Sequence, residues 1–381
     1  MSQIFNDIQI CGFRGFPEIQ LSDLGQVNLL VGNNNSGKTS ILEAIAIFSN
    51  PLDPFRWLEV SQRSFSSGIF LGSPLDLESI KWIFEKREKK YRIGEDNQRI
   101  LVIESQGNTP IKQLKTELIE LYGTPDSETH EENRLKNEGY DYQKNETYQK
   151  HGLELKLTIH ENENEERQLS LSNPKNQTRT ETFEFWENQR FIIRSRKKSS
   201  INTTMICPSD YGSISVRLSK LILDDRENKN EILNLMKLFD ADIIDIMILN
   251  PKKLAKIYIE HKKLGLAPLD IFGDGIKKTF AIAVALQDAK DGIVLIDEIE
   301  NSIHVSAFSQ VFSWLVESCF KQNTQLFVTT HSLEAIDTMI RASSNLDRIV
   351  GFQLNNLDNS VKRFSGDLLS RLRLNRGLDV R

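Results

Sequence analysis

Three cysteines in 381 residues (Cys11, Cys207 and Cys319) stand far apart, with no C-x-x-C pair. That excludes a disulfide framework and a cysteine-ligated zinc site, and it reads as reduced thiols in a core. No apolar run approaches the length of a membrane-spanning helix. Met1–Asp7 lacks the basic flank and apolar stretch of a secretory signal, so a cytoplasmic chain with no membrane partner is expected. Positive charge is not in excess either. Lys and Arg total 48 against 53 Asp and Glu, a net charge of -5, so no overall basic field draws the chain onto nucleic acid. Heptads and internal repeats are missing, which excludes a long coiled-coil arm and a solenoid. What is present, 39% hydrophobic and 27% charged residues, fits a globular chain long enough for two or three domains or one domain with insertions.

One stretch organises the rest. Val27-Asn28-Leu29-Leu30-Val31 reads as a buried strand, and Ser40–Phe48 is apolar at helical spacing. Between them lies Gly32-Asn33-Asn34-Asn35-Ser36-Gly37-Lys38-Thr39, the pattern G-x-x-x-x-G-K-[ST] in its proper strand-to-helix setting. The glycines let the backbone curl so that successive N–H groups point at phosphate oxygens, and the helix N-terminus adds partial positive charge. Lys38 is expected to bridge the β- and γ-phosphates of ATP, and Thr39 to offer its hydroxyl to Mg²⁺. Ser40 completes the loop.

Around this motif the chain reads as follows. Ile4–Ile10 and Ile19–Leu21 are strands, separated by Gly12-Phe13-Arg14-Gly15-Phe16. On its own residues, Arg14 reads as a solvated loop residue. Residues 50–80 look loop-rich, with Pro51, Pro54 and Pro74, and 78–90 looks like an amphipathic helix. Beyond it the chain is polar, with solvated acidic runs at 128–133 and 161–166. Alternation predicts antiparallel strands at 99–104, 153–160, 168–172 and 180–186, with a helix at 111–121 inserted among them. A short strand is expected at 204–208 and a mostly helical subdomain over 213–248. Lys252, Lys253, Lys256, Lys262 and Lys263 surround a strand-like Ile257–Ile259 and read as a solvated hairpin face before a nucleic-acid patch; Arg194, Arg196, Lys197 and Lys198 read the same way.

A second all-apolar strand, Ile293–Ile296, ends in Asp297 and Glu298. Ligands of parallel sheets bind beyond the carboxyl ends of the strands, so these carboxylates project where phosphates would lie. Asp297 suits Mg²⁺ beside Thr39, and Glu298 suits the water-activating base. Gln325–Thr330 repeats the pattern and ends in His331, which is placed to touch a γ-phosphate.

Together with Phe272-Gly273-Asp274-Gly275-Ile276, these motifs resemble the ATP-binding-cassette ATPases of the SMC, RecF and OLD type, and within them the compact AAA-like ATPases of bacterial anti-phage defence operons. The motifs span residues 1–50 and 265–353. The resemblance implies an α/β P-loop NTPase head with an antiparallel β subdomain and a helical subdomain. It implies ATP and Mg²⁺ as cofactors and a homodimer formed head to tail on ATP, each nucleotide lying between one subunit's P-loop and the other's signature segment. By that likeness Arg14 approaches the nucleotide, Glu300–His304 crosses the dimer interface, and His331 is the switch histidine. One departure stands out. Where the family has S-G-G, this chain has Gly273-Asp274-Gly275. The backbone donors remain but the hydroxyl is gone, Asp274 is expected to cap its own helix, and hydrolysis is expected to be slow.

The resulting expectation is one discontinuous head: an N-terminal β unit with the P-loop (1–50), a polar β/helical insert (51–210), a helical subdomain with a basic hairpin (211–264), and a lobe carrying signature, acidic strand and switch histidine (265–381). The expected function is an ATP-driven switch acting on a separate effector, a nuclease or toxin, in anti-phage defence. The alternative is a DNA-repair or chromosome-maintenance ATPase acting on DNA directly. A transporter subunit is disfavoured by the missing S-G-G-Q and the long polar middle.

Overall fold

A computed structural model describes residues 3–63, 75–85, 99–123, 150–161, 178–187, 201–208, 225–249, 256–355 and 359–381. Strands β1 (Asp7–Phe13) and β2 (Phe16–Leu21) form a hairpin, followed by β3 (Val27–Val31), α1 (Lys38–Ser49), α2 (Pro54–Gln62) and α3 (Leu77–Lys81). Then come β4 (Arg99–Gln106), β5 (Ile111–Gly123), β6 (Lys150–Glu161), β7 (Thr178–Trp186) and β8 (Thr203–Ile206). After α4 (Arg226–Lys237), a meander of β9 (Ile243–Leu249), β10 (Lys256–His261) and β11 (Gly265–Pro268) leads to α5 (Asp274–Asp288). The chain continues through β12 (Ile293–Ile296), α6 (Val305–Lys321), β13 (Gln325–Thr330), α7 (Leu333–Ala342), β14 (Ile349–Leu354), β15 (Val361–Ser365) and α8 (Gly366–Ser370).

Two six-stranded sheets carry the molecule. One is antiparallel, in the order β2-β1-β4-β5-β6-β7. The other runs β15-β14-β3-β13-β12-β8 and is parallel except for β15 at its edge. Every residue of β3, β12 and β13 is buried, as strands covered on both faces must be. Their side chains alternate between two cores. Leu30, Leu295 and Phe327 face the layer that holds α1 and the antiparallel sheet. Leu29, Val31, Val294, Ile296, Leu326 and Val328 face α5, α6 and α7 on the other side. Helix α1, buried almost along its whole length, is thus the filling between the two sheets. A third core joins the β9–β11 meander to α4 and α5 through Ile246, Ile259, Phe280 and Val284.

Several expectations change here. Residues 111–121 form strand β5, not a helix: past a register irregularity between Ile111 and Gln113, the buried Leu114, Thr116 and Leu118 recur every second residue. Thr116 sits in an apolar position, which breaks the alternation when only hydrophobicity is counted. The helix expected over 78–90 stops at Lys81, because Phe84 is drawn back to bridge Phe13 and stack on Trp57. Residues 86–90 lie outside the described residues. Within the loop-rich 50–80, α2 forms with Asp53 as its N-cap and Pro54 at its first position, where a missing N–H is no loss. The region 213–248 is only partly helical. Its described part contains α4, then β9, where Ile-Ile-Asp-Ile-Met-Ile-Leu favours a strand. The predicted strand at 168–172, the acidic runs at 128–133 and 162–166, the Arg194–Lys198 group, Lys252 and Lys253 all fall outside the described residues.

Candidate nucleotide site

The site lies at the carboxyl ends of three adjacent strands. Register aligns Val31 with Thr330, and Ile296 with Val328, so the tips of β3, β13 and β12 finish side by side. From the tip of β3 the loop turns through three left-handed residues, Gly32 (φ 147°), Asn35 (φ 64°) and Gly37 (φ 84°). A Cβ at Gly32 would lie 2.7 Å from the Leu354 carbonyl, and one at Gly37 would enter the Phe16 ring, so only glycine fits either place. Gly37 caps α1 without a side-chain bond, which leaves the first amides of that helix open to an anion. Asn33, Asn34 and Asn35 are exposed, Ser40 is buried, and the Ser36 hydroxyl is buried with no partner among the described residues.

Lys38 curls back over this loop and donates to the carbonyls of Gly32 and Asn33, each at 2.8 Å. Burial lowers its pKa from the ordinary lysine value, while Asp297, Glu300 and Glu298 act the other way. Thr39 donates to Asp297 at 3.0 Å and 3.1 Å from its two carboxylate oxygens. Thr329, near the tip of β13, donates to Asp297 Oδ1 at 2.6 Å and accepts from the Glu298 N–H at 2.8 Å. A hydroxyl and a carboxylate already in contact are hard oxygen donors suited to Mg²⁺, and the orphaned Ser36 hydroxyl and open amides suit phosphate oxygens. The residues therefore fit a magnesium nucleotide.

Beyond Asp297 the chain turns sharply, with Glu298 (φ 48°) and Ser302 (φ 63°) both left-handed. His331 follows β13 directly and is largely exposed. Its Nδ1 and its backbone N–H both meet Glu300 Oε1, at 2.9 Å and 2.8 Å.

Two sequence-predicted residues have other surroundings than expected. Arg14 is not solvated: its Nε lies 2.7 Å from the buried Glu43 of α1, and it donates to the Val60 carbonyl at 2.7 Å. Burial raises the pKa of Glu43, with Arg14 and Arg63 opposing that rise. Asp274 does not cap α5. The cap residue is Gly273, with no side-chain bond, and the Asp274 carboxylate pairs with Lys277 at 2.7 Å, mostly in solvent. It sits one position too far along the helix for its oxygen to reach back to the free amides. Gly275 packs against the Ser302 carbonyl, which a Cβ would approach to 2.9 Å.

Sequence reasoning passed over Lys278. It is fully buried on α5, donates to the Glu298 carbonyl at 2.5 Å, and is surrounded by Glu300, Glu298 and Asp297. A lysine within the apolar stripe of a helix is the only local sign of it. Asp240, Asp242 and His261 also lie close enough to share a cation. His261 Nδ1 accepts from the N–H groups of Lys263 and Leu264, however, so Nε2 carries the ring proton toward Asp240 and has no lone pair to give.

With this geometry in place, comparison with known proteins is decisive. Residues 27–337 match the family described as "AAA domain, putative AbiEii toxin, Type IV TA system". The chain belongs to that family. It is 23% identical over 353 residues to an ATP/GTP phosphatase of Helicobacter pylori, covering 89% of each chain. A 48-residue stretch is 48% identical to an uncharacterised Methanocaldococcus jannaschii protein, MJECL10, and covers 22% of that protein. Among solved structures, the Smc head bound to the C-winged helix domain of ScpA superposes with a TM-score of 0.50 at 14% identity, covering 95% of this chain and 97% of that one. The fold is that of an SMC/ABC-like P-loop head, and the chain is an ATPase. No described helix is long and apolar enough to cross a membrane.

Proposed function

We propose that this ATPase is a nucleotide-driven switch: ATP closes a head-to-tail homodimer, hydrolysis opens it, and the change of state controls a separate effector, a nuclease or toxin, in anti-phage defence. The observation that carries the reading is the Thr39–Asp297 contact, which joins the P-loop helix to an acidic strand tip across 258 residues of chain. Gly32–Ser40 take the phosphates, with Lys38 leaving its two carbonyl partners for the β- and γ-phosphates. Thr39 and Asp297 hold Mg²⁺, which when bound neutralises charge on the phosphates. Glu298 accepts a proton from the attacking water, and His331 reaches toward the γ-phosphate. Gly273, Asp274 and Gly275 open α5 and present its N-terminus to the partner's nucleotide. With no hydroxyl there and an acid beside it, turnover is slow. The family description names a putative AbiEii toxin and a Type IV toxin–antitoxin system, which supports a toxin–antitoxin setting for such a switch.

Direct action on DNA is the weaker reading, because a net charge of -5 supplies no overall basic field. Glu298→Gln separates binding from chemistry. The variant is expected to bind ATP, lose turnover and accumulate as a dimer, measured by light scattering after size exclusion with and without ATP. A monomer in saturating ATP, or full turnover, overturns the proposal.

A further inference from the structure

We infer that Glu300 is a positioning residue for the hydrolytic reaction: it fixes the ring of His331 so that Nε2 faces the site with a lone pair. This rests on the reading of His331 as a residue at the γ-phosphate. Nothing in the D-E-I-E run distinguishes Glu300 from a solvated turn residue, and the family likeness points it toward the dimer interface. In the structure its side chain turns inward.

Its side chain is only 10% exposed. One oxygen, Oε1, accepts from the backbone N–H of His331 at 2.8 Å and also lies 2.9 Å from its Nδ1 as a close ion-pair contact. The His331 carbonyl is taken by Arg381 at 2.9 Å. Both backbone groups of His331 are thus held and its Nδ1 is faced by a carboxylate, while Nε2 has no partner among the described residues. A carboxylate oxygen 2.9 Å from Nδ1 repels a lone pair there and so favours the proton on Nδ1; in the neutral ring the lone pair is then on Nε2. An exposed histidine with no such partner is free to place its proton on either nitrogen. The other oxygen, Oε2, is buried and has no hydrogen-bond partner among the described residues. Of the three carboxylates around Lys278, Glu300 acts on it most strongly, and it acts on Lys38 as well. Glu300 ties the strand tip carrying Asp297 to the strand tip carrying His331.

The full chain, labelled with nitrogen-15 in its histidines and free of nucleotide, provides the test. Long-range proton–nitrogen spectra report the tautomer of each ring, and His331 is assigned by loss of its signal in His331→Gln. Wild type is expected to show His331 with its proton on Nδ1. In Glu300→Ala that preference is lost and kcat falls by about tenfold or more, with ATP affinity changed less than about twofold. Glu300→Gln keeps an acceptor oxygen, so the tautomer and most of kcat are retained. A His331 proton on Nε2 in wild type, or a tautomer unmoved in Glu300→Ala, overturns the inference. Failure of the nucleotide-site reading appears separately, as no binding of ATP with Mg²⁺ by wild type in calorimetry, whereas the spectra are recorded without nucleotide.

Discussion

Lys278 is the residue whose environment is most at odds with its chemistry. An ammonium with no solvent exposure has lost its hydration, and burial lowers its pKa to about 8 from 10.5. Three carboxylates and the Glu298 carbonyl offset part of that cost without removing it. Because the folded-state value is depressed, the stabilisation linked to this group is present above the unfolded value and is lost as pH falls through about 8. Lys278→Met removes the titration. Its melting temperature relative to wild type is therefore expected to be most favourable at pH 7 and to decline steadily toward pH 10. The titrating part of the difference is about 3 kcal/mol. A thermal melt series that gives a pH-independent difference would refute the assignment. Lys278 has a positional consequence: it fastens α5 to the turn that carries Glu298.

At the scale of elements, the P-loop holds its shape through its contact with the β1–β2 hairpin. The Phe16 ring lies where a side chain at position 37 would go, and Gly37 itself is left-handed. Gly37→Ala thus suffers twice, from the ring and from about 1–2 kcal/mol of backbone strain. It is expected to lower the melting temperature and to weaken ATP binding at least tenfold. Adding Phe16→Ala should restore part of the stability while leaving the strain, so the double variant remains below wild type. Calorimetry on both variants checks this, and unaltered ATP affinity in Gly37→Ala would mean the loop does not hold the phosphates. Strand β5 teaches a different lesson. Its helical reading fails because Thr116 occupies an inward position and the irregularity near Ile111 shifts the phase of the pattern.

For the whole molecule, the question is what the N-terminus of α5 faces. Asp274 is solvent-exposed and paired only along its own helix, so Asp274→Ala is expected to change stability by less than about 0.5 kcal/mol. If the partner's γ-phosphate approaches this end, removing the carboxylate relieves like-charge repulsion. The ATP-dependent dimer should then tighten while monomer affinity for ATP stays constant. Sedimentation equilibrium of both proteins with and without ATP measures this, and an unchanged dimerisation constant would take the segment out of the interface. Gly275 lies close to the Ser302 carbonyl and Lys278 donates to the Glu298 carbonyl, so the start of α5 is packed against its own acidic turn.

Much of this was legible in the residues alone. Val27–Val31, Ile293–Ile296 and Gln325–Thr330 are short, mainly apolar runs followed by polar groups, the pattern of strands buried on both faces. The glycine spacing of 32–39 is equally local, since it answers to φ angles and to phosphate size. Packing decided the rest. Placing β3 between β13 and β14 is a choice among strand orders, and it alone brings Thr39 to Asp297. Arg14 has no preferred partner until Glu43 of α1 is in reach. Lys278 and Glu300 show their roles only when the turn after β12, which carries Glu300, packs against α5 and the tip of β13. A local pattern records which face of an element avoids water; it does not record which element covers that face, and a charge changes its role with its cover.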